Sequence, residues 1–265
     1  MEAVINGARI HYERAGEGMP VIFLHAGVAD HRMWGPQVKA FAKQFDVIAP
    51  DMRGFGKSEL PPQRWSPVAD VLGLVDDLRL KPAHVVGCSI GGGLAIDFAL
   101  EHPERMSKLV LVGPGISGRN FGEKYPDVFA EAEAAEKSGD HRAIVEADAH
   151  IWLDGPKRRP GYVKDPIRKL FFEMDSNFDS DWASAPIDRL DPPAADRLHE
   201  ITAPTLVVVG DEDAPPVFDA VELLMEKVPH ARKAVIHDAA HLPNLEHPDE
   251  FNHIVLDFLL ADNGR

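Results

Sequence analysis

Three residues of this chain could together activate an alcohol for attack on a carbonyl: Ser89, His241 and Asp213. A serine hydroxyl is a weak nucleophile at neutral pH. It needs a base within hydrogen-bond reach, and the base needs a carboxylate to hold its tautomer. Ser89 stands in Gly87-Cys88-Ser89-Ile90-Gly91-Gly92-Gly93. Val85 and Val86 before it read as a short buried strand, and the segment after it has helical periodicity. Glycines two positions either side remove the Cβ clashes of a sharp strand-to-helix turn, so the serine is held at its tip. Asp213 closes Gly210-Asp211-Glu212-Asp213 after a predicted strand, and His241 follows the last predicted strand in Asp238-Ala239-Ala240-His241. In an open parallel sheet, reactive groups gather beyond the C-terminal strand ends, which is where all three fall. The competing reading is a glycine-rich turn without chemistry.

The roles follow. Ser89 attacks, His241 takes its proton and passes it to the leaving group, and Asp213 stabilises the imidazolium. The Ile90 N–H is expected to bind the developing oxyanion, with a second donor from the loop after Leu24, at Gly27 or at Ala26. Each such donor contributes on the order of 3 kcal/mol to the transition state. Of the 13 histidines, His102, His141, His150, His199, His230, His247 and His253 fall on predicted helices or their ends. His25 is read as ordering its loop, and His237 as facing away from the site. Asp211 competes with Asp213 for the acid role, whereas Asp238 is too near His241 in the same loop. Cys88 reads as a small buried hydrophobe. No set of side chains has metal-ligand spacing, and the chemistry requires no cofactor.

The 265 residues allow one large α/β domain or a core with an inserted lid. A net charge of −15 repels phosphate backbones and anionic lipid, which argues against nucleic-acid and membrane-surface partners. The single cysteine excludes an intrachain disulfide. No signal-like segment opens the chain and no apolar run approaches the ~18 residues of a membrane span, so a cytoplasmic location is expected. Oligomeric state is left open.

Positioning elements alternate along the chain. Residues 3–14 read as a hairpin turning at Asn6-Gly7. Strands are expected at 21–24 and 45–50, with a helix from about Met33 between them. The loop from Asp51 to Ser58 is glycine-rich but lacks the spacing of a phosphate cradle, and reads as a structural turn. A helix over 66–80 starts on the N-cap Ser66 with Pro67 at its first position. After the serine turn and its helix, a strand at 109–112 completes the first half. Strands at 205–209 and 233–236, a helix at 217–227 and a closing helix near His247-Pro248 resume the pattern. The division is therefore a doubly wound, mostly parallel sheet from 1–115 and 201–265, with a helical cap inserted at 116–200. The insertion carries a helical stretch near 127–149 and scattered aromatics: Phe121, Tyr125, Phe129, Trp152, Phe171, Phe172, Phe178 and Trp182. Trp152 and Leu242 are candidates for substrate contact.

Together these segments resemble the α/β-hydrolase superfamily across nearly the whole chain. Residues 21–37 resemble the oxyanion loop of its capped esterase and lactonase branch, although Ala26 stands where glycine is usual. Asp51 to Ser58 is similar to the turn after the family's fourth strand, Gly210 to Asp213 to its acid turn, and Ala240-His241-Leu242 to its histidine loop. The order Ser, Asp, His is that of the fold. The resemblance is nearest to 3-oxoadipate enol-lactonase-like and carboxylesterase-like members. It implies an eight-stranded sheet and a serine hydrolase acting on small esters or lactones with water. Ser89 replaces the aspartate nucleophile of dehalogenase relatives and argues against that activity. Carbon–carbon hydrolysis of ring-cleavage diketones uses the same triad, and a non-catalytic small-molecule receptor is the alternative of a different class.

Overall fold

The computed structural model describes residues 1–177, 182 and 184–261. Its eight strands form one sheet in the order β1-β2-β4-β3-β5-β6-β7-β8. β1 (Glu2–Ile5) and β2 (Ala8–Ala15) are the expected hairpin. Asn6 and Gly7 at its turn both have positive φ, as a two-residue turn matched to strand twist requires. β2 pairs antiparallel with β4 (Phe45–Pro50). All other pairings are parallel: β3 (Met19–Leu24), β5 (Ala83–Cys88), β6 (Met106–Val112), β7 (Thr205–Gly210) and β8 (Arg232–Ile236).

The inner strands are apolar on both faces because helices cover both. Period-two alternation sends Val85, Leu109 and Leu111 into one core cluster. Their neighbours Val86, Val110 and Val112 enter the other. The first face is closed by α2 (Pro67–Asp77) and α3 (Ile90–Glu101), the second by α1 (Gly35–Phe41) and the closing helix near the C-terminus. α2 starts as expected, with Ser66 accepting from the Ala69 N–H, but it ends at Asp77, where Leu78 caps it and Arg79 turns to φ 52°.

Between β6 and β7 the described segment is helical: α4 (Pro126–Ser138), α5 (His141–Asp148), a π-helical turn at Ala149–Asp154, α6 (Ile167–Asp175) and the short α7 (Ala194–Arg197). The single helix expected near 127–149 is two helices. Gly139 in the left-handed conformation ends the first and the Asp140 carboxylate caps the second. Beyond β7 lie α8 (Pro215–Lys227), α9 (Pro243–Glu246), absent from the sequence reading, and α10 (Pro248–Leu260). No helix among the described residues is long and apolar enough to cross a membrane.

Asp175 lies buried inside this helical segment, with the half-buried Asp148 nearby. Burial, with Asp148 nearby, pushes Asp175 up to about 8, and burial pushes Asp148 up to about 6. The folded chain therefore holds the Asp175 proton more tightly than the unfolded chain. Its contribution to stability is complete below the ordinary value of 3.8 and is lost as the pH rises through about 8. Asp175→Asn is expected to raise Tm by about 5 °C at pH 8 and to have little effect near pH 4. Thermal melts of both proteins across that range check it.

Candidate active site

Strand register brings the candidate residues to one rim. Leu24 pairs with Gly87, Cys88 with Val112, Val112 with Val208, and Gly210 with Ile236. The residues that follow these ends leave the sheet along the same edge. They begin the loops that carry His25, Ser89, Asp213 and His241.

The serine turn is tightly packed. Ser89 has φ 55° and ψ −117°, a conformation that non-glycine residues rarely adopt. Its N–H donates to the Val112 carbonyl at 3.0 Å, and its own carbonyl accepts from Gly93 and Gly115, each at 3.0 Å. A Cβ on Gly87 would lie 2.2 Å from the Gly91 oxygen, and one on Gly91 2.5 Å from the His25 and Leu24 oxygens. No side chain fits at either position, which is the reason for the Gly-x-Ser-x-Gly spacing.

His241 and Asp213 are both buried. The His241 Nδ1–H donates to the two Asp213 oxygens at 3.0 Å each, and Asp213 also accepts from the Ala214 N–H at 2.7 Å. This fixes the tautomer and leaves Nε2 as the acceptor. Nε2 is buried and finds no partner among the described residues. Ser89 and His241 line one cavity of about 490 Å³, together with Gly113, Phe129, Trp152 and Val217. Their side chains share this space without a hydrogen bond between them. Cys88 is buried behind them, its Sγ donating to the His241 carbonyl at 3.7 Å, and burial raises its thiol well above the ordinary range.

The competing residues go elsewhere. Asp211 pairs with the exposed His237 at 2.7 Å and accepts from the Asp238 N–H at 2.7 Å. The fully buried His25 donates from Nδ1 to the Ala26 carbonyl at 2.8 Å and accepts the Met52 N–H at Nε2 at 2.9 Å. Burial holds its pKa below the usual imidazole value, so it stays neutral and ties the loop after β3 to the loop after β4. Of the two oxyanion candidates in the first loop, the Ala26 N–H is already directed at Met33 Sδ, 3.3 Å away. The Gly27 and Ile90 N–H groups make no hydrogen bond among the described residues. The Ile90 side chain lies 3.4 Å from where a Gly27 Cβ would stand, so the two residues pack together.

The aromatics of the insertion divide. Trp152 packs on the His241 ring at 4.7 Å between centroids, and Phe121 and Phe129 line the same cavity. Tyr125 donates to Asp219 and Phe171 is core. Trp182 lines a second, neighbouring cavity. Phe178 lies outside the described residues. Leu242 corrects the sequence reading. It is fully buried in the cluster that holds Met33, Leu153 and Phe251 and lines none of the cavities described here, because α9 turns it inward directly after His241.

Sequence spacing also missed one grouping with metal-ligand types. His11, His31 and Asp51 converge with their ligand atoms within 4.8 Å of one another. They come from β2, the loop after β3 and the end of β4, so tertiary structure alone unites them. The Asp51 oxygens already accept the His31 N–H, the His31 Nδ1–H and the Lys57 N–H. The group is thereby a hydrogen-bond hub that holds the loop from Asp51 to Ser58, the structural turn expected from the sequence.

A model of the alpha/beta hydrolase fold family matches residues 19–248. A 2-hydroxy-6-oxo-6-phenylhexa-2,4-dienoate hydrolase of Burkholderia cepacia is 32% identical over 97% of this chain and 93% of its own length. Among solved structures, the enol-lactonase of Burkholderia xenovorans LB400 superposes with a TM-score of 0.83, at 26% identity over 98% of this chain and all of that one. Est816, an N-acyl homoserine lactone degrading enzyme, does so with a TM-score of 0.78, at 30% identity over 97% and 100%. The family match begins at the first residue of β3 and ends at the first residue of α10, so it takes in the strands and loops that bear Ser89, Asp213 and His241, and the chain belongs to the α/β-hydrolase fold family.

Proposed function

We propose that this hydrolase cleaves small carboxylic esters or lactones through an acyl-enzyme on Ser89. The observation that carries the reading is the Nε2 of His241, unpartnered among the described residues, on a ring that Asp213 holds from the other side and that lines one cavity with Ser89. An acceptor nitrogen left bare in a buried site costs free energy unless a donor reaches it. Rotation of the Ser89 hydroxyl supplies one, and substrate binding favours that rotamer. The proton then passes from Oγ to Nε2 as Oγ adds to the carbonyl, and the oxyanion forms beside the Gly27 and Ile90 N–H groups. His241 returns the proton to the leaving alkoxide. Water repeats the sequence and frees the acid. Reading residues 116–200 as a cap is supported by Phe121, Phe129 and Trp152, which line the cavity together with Ser89.

The name of the Burkholderia cepacia relative favours a second reading, hydrolysis of a carbon–carbon bond in a dienoate diketone. That reaction expels a carbon leaving group, which must be protonated at carbon before the bond breaks, a step ester cleavage does not need. Purified protein should be given p-nitrophenyl acetate, a series of lactones, and a 2-hydroxy-6-oxo-dienoate whose absorbance is lost on cleavage. The expected result is multiple turnover of esters or lactones, abolished by Ser89→Ala, while the dienoate absorbance persists. Dienoate decay with kcat/KM more than about tenfold above every ester and lactone would replace the first reading by the second.

A further inference from the structure

A second cavity of about 240 Å³ adjoins the first and shares Gly115 and Ile116 with it. Consecutive residues of the serine turn, Ser89 and Ile90, line one cavity each. Ser89 lines the first cavity with His241, whereas Ile90 lines the second with Leu24 and Gly93. His241 must reach the leaving group to protonate it, so the leaving group departs on the side of the first cavity. The remainder of the acyl group then extends past the Ile90 N–H into the second.

The walls of that second cavity are mainly apolar, but its donors are unevenly used. Arg53 is 1% exposed. It gives Nε and Nη2 to Asp70 at 2.7 and 2.8 Å and stacks on the Trp65 ring at 4.9 Å, while its Nη1 finds no acceptor among the described residues. Trp65 is 6% exposed and its Nε1–H finds none among them either. The Nε1–H of Trp182 is a third. All three side chains line this one cavity. Its acceptors, in contrast, are engaged: Asp70 with Arg53, Asp51 with His31, and Asp97 with the Ser117 hydroxyl at 2.8 Å. A buried N–H without an acceptor costs about 1–3 kcal/mol, and three on side chains that line one space favour an acceptor oxygen there. An anion is not favoured. Arg53 and Arg189 are the cations of the lining, and they are opposed by Asp51, Asp70 and Asp97.

We infer that this cavity receives the acyl arm of the substrate and selects an apolar chain carrying a neutral acceptor oxygen, a ketone or an ether, held by the Trp65, Arg53 and Trp182 N–H groups. The inference rests on the acyl-enzyme reading above, and its test separates the two. Initial rates are measured for p-nitrophenyl hexanoate, p-nitrophenyl 5-oxohexanoate and the p-nitrophenyl monoester of glutaric acid, each corrected for its uncatalysed hydrolysis. The wild-type protein is expected to favour the 5-oxohexanoate about tenfold in kcat/KM over the hexanoate, and to disfavour the glutarate monoester against both. In Trp65→Phe and Trp182→Phe, which keep an aromatic ring and delete the donor, the ratio of oxo to plain ester should fall toward one. Equal wild-type rates on the oxo and plain esters overturn the inference, as does a preference for the glutarate monoester or a ratio unchanged in both variants. If no ester is turned over, the acyl-enzyme reading fails. Calorimetric titration of the Ser89→Ala protein with hexanamide and 5-oxohexanamide then decides the pocket alone, where tighter binding of the oxo amide supports it and equal binding or none overturns it.

Discussion

Ser89→Ala is expected to lower kcat on any ester the protein accepts by roughly 10⁵–10⁶-fold and to leave its melting temperature unchanged. The two halves of this result have separate causes. The hydroxyl is the only atom removed, and with it goes the bond that makes the acyl-enzyme. The backbone strain at φ 55° comes from Cβ, which alanine keeps. Ser89→Gly separates them further. It also removes the nucleophile, but it relieves a conformation that costs of order 1–3 kcal/mol, so its Tm should rise by about 3–6 °C. A serine retained at a site where glycine is more stable is retained for its chemistry. Steady-state assays, thermal melts and mass analysis after a fluorophosphonate probe check the three expectations. The probe should add to the wild-type protein and to neither variant. Residual turnover in Ser89→Ala within tenfold of wild type would place the nucleophile elsewhere.

The parts of this site legible in the sequence are those set by local backbone geometry. The Gly87 and Gly91 spacing reports a turn with no room for Cβ, and the structure shows carbonyl oxygens where those atoms would be. Asn6-Gly7 reports a two-residue hairpin, and Ser66-Pro67 a helix start. Each of these signals needs only a few consecutive residues. The placement of Asp213 and His241 near Ser89 is legible for a different reason, because a parallel sheet sends the residues after its strands to one edge. What sequence could not show depends on approach between distant segments. His11, His31 and Asp51 meet only because β2 pairs with β4 beside the loop after β3. Arg53 lies in a loop motif that reads as a turn, yet its side chain is buried and crosses to Asp70 on α2. Leu242 follows His241 directly and still faces the core, because a four-residue helix, too short to leave a periodic pattern, reverses the chain there. The donors of the second cavity come from residues 53, 65 and 182, and no spacing rule connects them.

The choice between the two acids of Gly210 to Asp213 carries the second large effect. Asp213→Asn is expected to lower kcat by roughly 10⁴-fold, whereas Asp211→Asn changes it less than about threefold. An asparagine at 213 can turn its NH₂ toward the ring, and Nδ1 then becomes the acceptor. The proton moves to Nε2, the nitrogen that must stay bare to receive the Ser89 proton. Nothing comparable follows at 211, whose partner His237 is exposed on the outer side of the loop. A longer carboxylate should not rescue the position. A Cβ placed on Gly113 would stand 3.0 Å from both Asp213 Oδ2 and His241 Nδ1, so that wall already lies against the pair. Asp213→Glu has no room to withdraw its extra methylene and must displace the imidazole it is meant to hold. Its kcat should therefore stay closer to that of Asp213→Asn than to wild type, although the negative charge is kept. If Asp213→Glu instead restored activity to within about tenfold, charge alone would suffice, and the fit between the acid, the ring and Gly113 would not be what sets the tautomer.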